Sequence, residues 1–514
     1  MRRVAFAALF ALIACSPALA QSVEVKIAQG TLSGGTEDQI ASFKDIPFAA
    51  PPVGKLRWRA PQPAPVWGDS RVAREFGPVC PQNRHPSLFM PNLPQSEDCL
   101  TLNVWTPDAR AGAKLPVMVW IFGGGFLNGG AAMPLYDGTD LAKHGVVLVT
   151  INYRLGLLGF FAHPAVLGEH KDEAGGNFGL LDQIAALKWV QQNIQAFGGD
   201  ASNVTIFGES AGGMSVNDLV ASPMARGLFV KAISESGLGL QTIPTLAVAQ
   251  KSSEDFAAKL GVTGSDDAAL DRLRKIKVED ILYREGDLKT EGHVAPFIDG
   301  KVIPEDVSLL FARGDIAKVD YISGSNSNEA SLAPSLGTDL VKMPSDTGDA
   351  LPMVRAIYEK SGALTDAEFG RQFFGDALFT GAAQALAGFV VKAGGTAHVY
   401  HFAYVADPLR GKDPGVGHGG EIAYVFGLRK LGFIANLATD KDRGVIALTQ
   451  TYWTNFAKTG DPNGAGLPQW PSFSQADQQT LVFDDQTKAV ADFRRGQAGI
   501  MQAGWRKRVG VSAP

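Results

Sequence analysis

The 514-residue sequence lacks the features of several common functional classes. It has no excess of one charge, because 47 basic and 52 acidic residues leave a formal net charge of −5, whereas a nucleic-acid-binding protein needs a basic face. It contains neither a C-x-x-C nor an H-E-x-x-H pattern for zinc, nor a G-x-x-x-x-G-K-[ST] phosphate loop. We therefore expect no metal, no organic cofactor and no nucleic-acid partner.

Long apolar runs are also absent beyond the N-terminus, so no transmembrane segment is expected. At the N-terminus, two arginines precede a short apolar run over residues 4–14, and the A-L-A sequence at Ala18–Ala20 offers a cleavage site. This arrangement predicts a secretory signal peptide over residues 1–20 and a single mature domain over residues 21–514. The letters L-I-A-C, which end at Cys15, also resemble a lipoprotein box. Both interpretations predict an exported protein, either periplasmic or secreted.

Cysteine is scarce, with three residues in the chain. If Cys15 is removed with the signal peptide or lipidated, Cys80 and Cys99 remain as an even pair in an oxidising compartment. A disulfide between them would close a loop of about 20 residues and contribute about 3 kcal/mol by restricting the unfolded chain. Two unpaired buried thiols are the alternative that the cysteine count leaves open.

Strand-like and helix-like segments alternate along the chain. Short apolar runs typical of buried strands occur at Val117–Phe122, Val146–Tyr153, Val204–Phe207, Ala232–Ser234, Asp320–Ser323 and His398–Tyr404. Helical spacing of apolar residues is found at Leu180–Ala196, which stops before a pair of glycines, and at Asp267–Lys275. The alternation predicts one α/β domain with a large, mostly parallel central sheet and helices on both faces.

One serine carries the clearest chemical signal. Ser210 lies in the segment G-E-S-A-G, directly after the predicted strand V-T-I-F and before a helix-like segment, Gly213–Val220. In a G-x-S-x-G elbow, the glycines permit a strained strand-to-helix turn that exposes the serine hydroxyl at the edge of a sheet. A surface Gly-Ser turn would have the same five letters, but the flanking strand and helix favour a nucleophile. Such a serine needs a base and a group that orients the base.

Longer segments around this serine resemble the type-B carboxylesterases, the cholinesterase-like branch of the α/β-hydrolases. The resemblance extends from about Val23 to Trp505 and is most specific in GNFGLLDQIAALKWVQQNIQAFGGDASNVTIFGESAGG, at 176–213. Further matching segments are FKDIPFAAPPVGKLRWRAPQP at 43–63, SEDCLTLNVW at 96–105, GGGF at 123–126, NYRLGLLGF at 152–160, GHGGEIAYVFG at 417–427 and WTNFAKTGDPNGAGLPQWP at 453–471. The resemblance implies the α/β-hydrolase fold and hydrolysis of a small-molecule carboxylic ester.

The resemblance assigns roles to three residues that occur in the chain order of α/β-hydrolases. Ser210 resembles the nucleophile, His418 in GVGHGGE resembles the general base, and Glu329 in GSNSNEAS resembles the acid that orients the imidazole. Three other carboxylates remain alternative acids when the residues are considered alone: Asp299, Asp315 and Asp320. An ordinary histidine pKa of about 6.5 would make activity rise between about pH 6 and 8.

By the same resemblance, the backbone amides of Gly124, Gly125 and Ala211 form an oxyanion hole, where small residues let the backbone approach the substrate. Phe122 precedes the three glycines, where many esterases have histidine and other members have an aromatic residue.

Cholinesterases bind a cation on a tryptophan in the first disulfide loop, whereas the matching residue here is Phe89 and the loop contains no tryptophan. The resemblance therefore favours a general, mainly apolar ester over a choline ester.

Two other functions stay open at this point. Some relatives of this family have lost the catalytic serine and act as binding proteins, although Ser210, Glu329 and His418 are all present here. The same residues would also serve the hydrolysis of an amide, a thioester or a carbonate. Near the serine, Glu209 and Ser236 resemble positions that brace the triad, and a buried structural hydrogen bond is the alternative for each.

Overall fold

The computed structural model describes residues 22–83, 92–169, 171–282 and 294–511. The predicted signal peptide over residues 1–20, including the alternative lipidation site Cys15, lies outside the described residues, as does Phe89. Within the described chain, one helical segment, Asp366–Lys392, is apolar and long enough to cross a membrane, and 72% of its apolar window is buried inside the protein. Such burial is typical of a core helix.

A sheet of thirteen strands organises the described residues. The strands are β1 Val23–Ile27, β2 Gly30–Glu37, β3 Ile40–Pro47, β4 Arg71–Val72, β5 Thr101–Thr106, β6 Leu115–Ile121, β7 Val147–Ile151, β8 Gly199–Glu209, β9 Lys231–Glu235, β10 Asp320–Asn326, β11 Ala397–Phe402, β12 Thr480–Phe483 and β13 Lys488–Val490. Their order is β1-β2-β3-β5-β7-β6-β8-β9-β10-β11-β12-β13, with β4 paired to β2.

The centre of the sheet is parallel, as the sequence predicts. The seven strands from β7 to β12 in the sheet order pair in parallel, and antiparallel pairs flank them on both sides. Parallel strands buried on both faces carry continuous apolar runs, and residues 117–121 of β6 are buried accordingly. All six predicted strands are present, and β8 extends beyond its apolar centre because its last residues still pair with β6 and β9.

Helices cover the sheet in two layers. In chain order they are α1 Thr139–Ala142, α2 Gly156–Gly159, α3 Pro164–Glu169, α4 Phe178–Asn193, α5 Ala211–Ala221, α6 Leu246–Lys259, α7 Asp267–Arg274, α8 Val278–Ile281, α9 Val307–Arg313, α10 Leu351–Tyr358, α11 Asp366–Gly375, α12 Gly381–Lys392, α13 Ile422–Phe426, α14 Phe433–Leu437, α15 Asp440–Thr459 and α16 Arg495–Val509. One layer contains α4, α5, α9, α12 and α16, and a second layer contains α13 and α15.

The topology places the ends of several strands at one edge. Because β6, β8, β9 and β10 run parallel, the residues that follow each of them meet at the carboxyl edge of the sheet. Ligands of open α/β sheets bind outside this edge. Ser210 directly follows β8 and the triple glycine follows β6, so the fold brings the two predicted motifs together.

Cys80 and Cys99 form a disulfide with an S–S distance of 2.03 Å. Both cysteines are buried. The prediction from the cysteine count is therefore confirmed, and the alternative of two free thiols is wrong. The bridge holds the segment between β4 and β5, which packs beside the triple-glycine loop.

Candidate active site

Ser210 occupies a strained turn between β8 and α5. Its backbone has φ 57° and ψ −122°, a conformation that side chains other than glycine rarely adopt. A Cβ on Gly208 would lie 2.5 Å from the carbonyl oxygen of Ile121, and a Cβ on Gly212 would lie 2.0 Å from the same oxygen. The two glycines of the motif are thus required by the approach of β6, and the turn projects Ser210 from the sheet.

A continuous chain of short contacts connects the three residues that the sequence predicts. The Nε2 atom of His418 lies 2.8 Å from Ser210 Oγ, and its Nδ1 atom lies 2.6 Å from Glu329 Oε2. Glu329 is 1% exposed. With the proton on Nδ1, the imidazole donates to Glu329 and presents a free lone pair at Nε2 to the serine hydroxyl.

The carboxylate of Glu329 is fixed by two further donors. The Ser236 hydroxyl donates to Oε1 at 2.6 Å, and the backbone amide of Asn326 donates to the same oxygen at 2.6 Å. Ser236 has φ 47°, so its backbone is strained like that of Ser210. Ser236 therefore contacts Glu329 directly.

The three alternative acids lie elsewhere. Asp299 accepts the amides of Lys301 and Ile303 within its own turn, and Asp315 pairs with an arginine at the surface. Asp320 begins β10, at the end of the strand opposite the carboxyl edge. Among the four carboxylates, Glu329 is the one in contact with the imidazole.

The loop that carries His418 is held by its neighbours. The His418 amide donates to Ser331 Oγ at 2.8 Å, and the Phe379 ring lies 5.1 Å from the imidazole ring. The side-chain amide of Asn326 donates to Gly417 O at 3.0 Å. Sequence reasoning missed Ser331 and Asn326, although both lie within three residues of Glu329.

Three further glutamates, Glu209, Glu235 and Glu421, are buried near this group of residues. Glu209 Oε1 lies 3.3 Å from His418 Nε2, and burial raises the pKa of Glu209 to about 7. Burial likewise raises the pKa of Glu421 to about 8 and that of Glu235 well above its usual range. Glu421 also accepts a hydrogen bond from the Asn326 side chain. Sequence reasoning did not single out Glu421, although it lies three residues after His418.

The carboxylates change the basicity of the histidine. Burial lowers the pKa of His418, but the negative charges of Glu209 and Glu329 outweigh burial and raise this pKa above its usual value. The ordinary histidine pKa used in the sequence-based prediction does not include these neighbouring charges. The acidic limb of a pH profile is expected at higher pH than that value implies.

The three residues predicted to form an oxyanion hole line the same cavity as Ser210. Gly124 and Gly125 have φ 103° and 64°, and a Cβ on Gly124 would lie 2.2 Å from the Asn128 carbonyl oxygen. Ala211 is the first residue of α5, so its amide has no partner inside the helix. Within the described parts of the chain, these three amides donate to no acceptor, and all three residues line the cavity.

Phe122 packs beneath the triple-glycine loop that follows β6, on the side of the protein core. Its ring stacks on Tyr153 with a centroid distance of 4.4 Å, and the Tyr153 hydroxyl donates to Phe122 O at 2.7 Å. The stacked pair is buried. An aromatic residue before the glycines therefore anchors the loop by packing.

The cavity has a volume of about 690 Å³. This size is typical of small-molecule sites. Glu209 and His418 are the charged or titratable residues among its described lining, which includes no lysine or arginine. Much of the remaining wall is apolar and includes Leu127, Leu157, Met214, Leu238, Leu332 and Phe379. No group of three metal-ligating side chains occurs in the described residues.

The sheet, its two helical layers and the serine turn at its carboxyl edge define an α/β-hydrolase. The model of the carboxylesterase family matches residues 21–499. The chain belongs to this family and is a carboxylic ester hydrolase. The interpretation as a non-catalytic binding protein is therefore set aside.

The most similar proteins include bacterial esterases. The chain is 37% identical over 474 residues to the para-nitrobenzyl esterase of Bacillus subtilis, covering 89% of this chain and 94% of that protein. It is 35% identical over 477 residues to the fumonisin B1 esterase of Sphingopyxis macrogoltabida, covering 89% and 87% of the two chains.

Solved structures confirm the fold. A para-nitrobenzyl esterase superposes with a TM-score of 0.78 at 35% identity, over 92% of this chain and 99% of that one. A Geobacillus stearothermophilus carboxylesterase superposes with a TM-score of 0.80 at 33% identity, over 94% and 99%. Both likenesses extend over nearly the whole chain, which confirms the α/β-hydrolase fold expected from the sequence.

Proposed function

We propose that the chain hydrolyses esters through an acyl-enzyme formed on Ser210, with His418 as general base and Glu329 as the orienting acid. The observation that supports this most strongly is the pair of contacts made by the imidazole, 2.6 Å to Glu329 and 2.8 Å to Ser210. Nucleophile, base and orienting group within hydrogen-bond reach are the signature of an activated serine.

In the acylation half-reaction, Ser210 Oγ attacks the ester carbonyl carbon while His418 Nε2 takes the hydroxyl proton. The carbonyl oxygen becomes an oxyanion and accepts hydrogen bonds from the amides of Gly124, Gly125 and Ala211. When the tetrahedral intermediate collapses, His418 gives its proton to the departing alcohol. Glu329 keeps the imidazole in the required tautomer and stabilises its positive charge.

In the deacylation half-reaction, a water molecule takes the place of the alcohol. His418 accepts a proton from the water as it attacks the acyl carbon, and the same three amides hold the second oxyanion. Collapse of this intermediate releases the acid and returns the proton to Ser210 Oγ. Each step therefore uses one base and one set of donors.

The substrate class follows from the cavity lining. An apolar wall and the absence of a described lysine or arginine favour an uncharged ester over one with a carboxylate near the reacting bond. The relative named for fumonisin B1 and the one named for a para-nitrobenzyl ester indicate that members of this family differ in their substrates.

Labelling with an organophosphate followed by peptide mass mapping tests the nucleophile. The label is expected on Ser210, and Ser210→Ala should lose label and turnover while keeping the fold. Ser335 lines the same cavity, so Ser335→Ala is a matched control that should keep both. Normal hydrolysis of an activated aryl ester by Ser210→Ala would refute the proposal.

An amide, thioester or carbonate remains an alternative substrate for the same machinery. A comparison of kcat/KM for matched ester, thioester, carbonate and amide substrates separates these reactions. We expect the ester to have a higher kcat/KM than the amide, because the alkoxide is the better leaving group. A preference for the amide would favour the alternative.

We also propose that the protein is exported, with residues 21–514 as one mature domain. The disulfide between Cys80 and Cys99 supports an oxidising compartment. Mass analysis of the mature N-terminus would distinguish cleavage after Ala20 from lipidation at Cys15.

A further inference from the structure

A buried glutamine connects the disulfide to the triple-glycine loop. Gln82 is 6% exposed, and its Nε2 donates to Cys80 O at 3.0 Å and to Gly129 O at 2.7 Å. Its Oε1 accepts the amide of Gly129 at 2.8 Å. The side-chain amide thus satisfies both backbone groups of Gly129, as a neighbouring β-strand would.

Gly129 is coupled to the start of the same loop. It has φ 118°, and a Cβ at this position would lie 2.5 Å from the Phe122 ring and 2.9 Å from Gly123 O. Gly124 O accepts the amides of Leu127 and Asn128 at 3.1 and 3.2 Å. The loop is therefore a tight turn, in which a shift of Gly129 would also displace Gly124 and Gly125.

The segment that carries Gln82 is itself fixed. The backbone amide of Gln82 donates to Gln95 Oε1 at 3.1 Å. Cys80, which forms the disulfide with Cys99, lies two residues before Gln82. A second amide side chain makes a parallel connection, because Asn152 accepts the Ala131 amide at 2.9 Å and donates to Pro78 O at 3.1 Å. The disulfide segment is thus a rigid support for the loop.

We propose that Gln82 is a positioning residue that fixes the Gly123–Gly130 loop so that the Gly124 and Gly125 amides meet the reacting oxyanion. The inference rests on the proposed oxyanion hole, in which these two amides are donors. Gln82 acts through the loop, and its side-chain amide is already fully bonded within the protein. The disulfide acts through the same contact, because it holds the carbonyl of Cys80 to which Gln82 donates.

Gln82→Met keeps the size of the side chain and removes all three hydrogen bonds. A displacement of about 1 Å at a reacting site costs on the order of 100-fold in rate, so we expect kcat to fall about 10- to 100-fold. Gln82 also lines the cavity, but the apolar residues of its wall are unchanged, so KM should change less than kcat. Gln82→Glu keeps an acceptor for the Gly129 amide but loses the donor to Cys80 O and Gly129 O, so it should lose activity as well.

Affinity for a trifluoromethyl ketone identifies the cause of the loss. This probe forms a hemiketal with Ser210 whose oxyanion needs the loop amides, so its Ki should rise by the same factor as kcat/KM falls. Binding of an intact ester to the Ser210→Ala and Ser210→Ala/Gln82→Met proteins should be equal. If Gln82 had a purely structural role, its substitution would not weaken binding of the ketone while leaving the affinity for the intact ester unchanged.

Gln191→Met is the matched control. Gln191 Nε2 also donates to two carbonyl oxygens, of Ala201 at 2.8 Å and Leu228 at 2.9 Å, but it lies outside the cavity lining. It should keep the wild-type kcat and Ki. An unchanged kcat in Gln82→Met, an unchanged Ki, or an equal loss in Gln191→Met would each overturn the inference. Activity in Ser210→Ala would instead overturn the proposed function.

Discussion

Two regions on the same sheet differ in how they contribute to the folded state. The aromatic core, consisting of Tyr400, Tyr452, Trp453, Trp470 and Phe483, is at most 1% exposed, and its rings lie 5.3 to 6.4 Å apart. Two of its indole and phenol groups donate to backbone oxygens, at Val399 and Pro468. This region stabilises the fold mainly by apolar burial. Three of its four polar side-chain groups are hydrogen-bonded, and the Tyr400 hydroxyl is buried without a partner among the described residues.

The catalytic edge, consisting of Glu209, Ser210, Ser236, Glu329 and His418, is built differently. It contains two non-glycine residues at positive φ and several buried ionisable groups, and Glu209 Oε1 is buried without a hydrogen bond from the described residues. Such features cost stability and persist where the surrounding structure enforces them. The comparison teaches that the apolar core offsets the strain and buried charge that the chemistry needs. A hydrogen bond of 2.8 Å, from Trp453 Nε1 to Glu235 Oε1, links the core to the carboxyl groups behind this edge.

The largest expected effect is a loss of kcat on substitution at the catalytic edge. Glu329→Gln should lower kcat about 10,000-fold, because the imidazole loses the partner that selects its tautomer. Steady-state kinetics on an aryl ester measure this effect, and circular dichroism should show a retained fold. Asp299→Asn is the control and should keep its activity, whereas an equal loss in both variants would contradict the assignment.

The next effect tests the core. Trp470→Ala should lower the free energy of unfolding by about 3 to 5 kcal/mol, because it removes a fully buried indole and leaves a cavity. Urea unfolding followed by circular dichroism measures this change. The kcat of the folded variant should match the wild type, and a large loss of kcat would break the separation between the two regions.

The disulfide connects stability with activity. Replacing Cys80 and Cys99 together by alanine should cost about 3 kcal/mol of unfolding free energy. If Gln82 couples the segment around Cys80 to the Gly123–Gly130 loop, the double substitution should also lower kcat, but by less than Gln82→Met does. Urea unfolding and steady-state kinetics on the same preparation test both effects, and a normal kcat would limit the bridge to a stabilising role.

The smallest effect concerns pH. The negative charge of Glu209 raises the pKa of His418, so Glu209→Gln should lower that pKa and move the acidic limb of kcat/KM to lower pH. A profile from pH 5 to 9 measures the shift. Glu305→Gln, at a surface ion pair, is the control and should leave the limb in place. A limb that stays or moves to higher pH in Glu209→Gln would contradict the electrostatic interpretation.

The sequence predicted the strands well because each has a local signal. Continuous apolar runs mark β6, β7 and β8 regardless of their neighbours, and the glycines of the serine motif mark a turn that needs small residues. The ends of the strands were less predictable. Gly199 and Glu209 belong to β8 because adjacent strands pair with them, which a single segment does not reveal.

The candidate site was predicted unevenly. Ser210 and His418 lie in specific motifs, whereas Glu329 had three aspartate rivals until its distance from the imidazole was known. Gln82 gave no signal, because an isolated glutamine has no characteristic pattern. Its role depends on a carbonyl and an amide 47 positions along the chain.

By itself, the amino-acid sequence determined the order of the elements and the family, and it predicted the nucleophile, since these depend on short segments and local backbone chemistry. The tertiary structure alone decided which carboxylate meets His418, because the two contacts of its imidazole span 89 and 208 positions of the chain. It also decided the basicity of that histidine. A pKa depends on burial and on charges brought close by strand packing, and neither is encoded in any single segment.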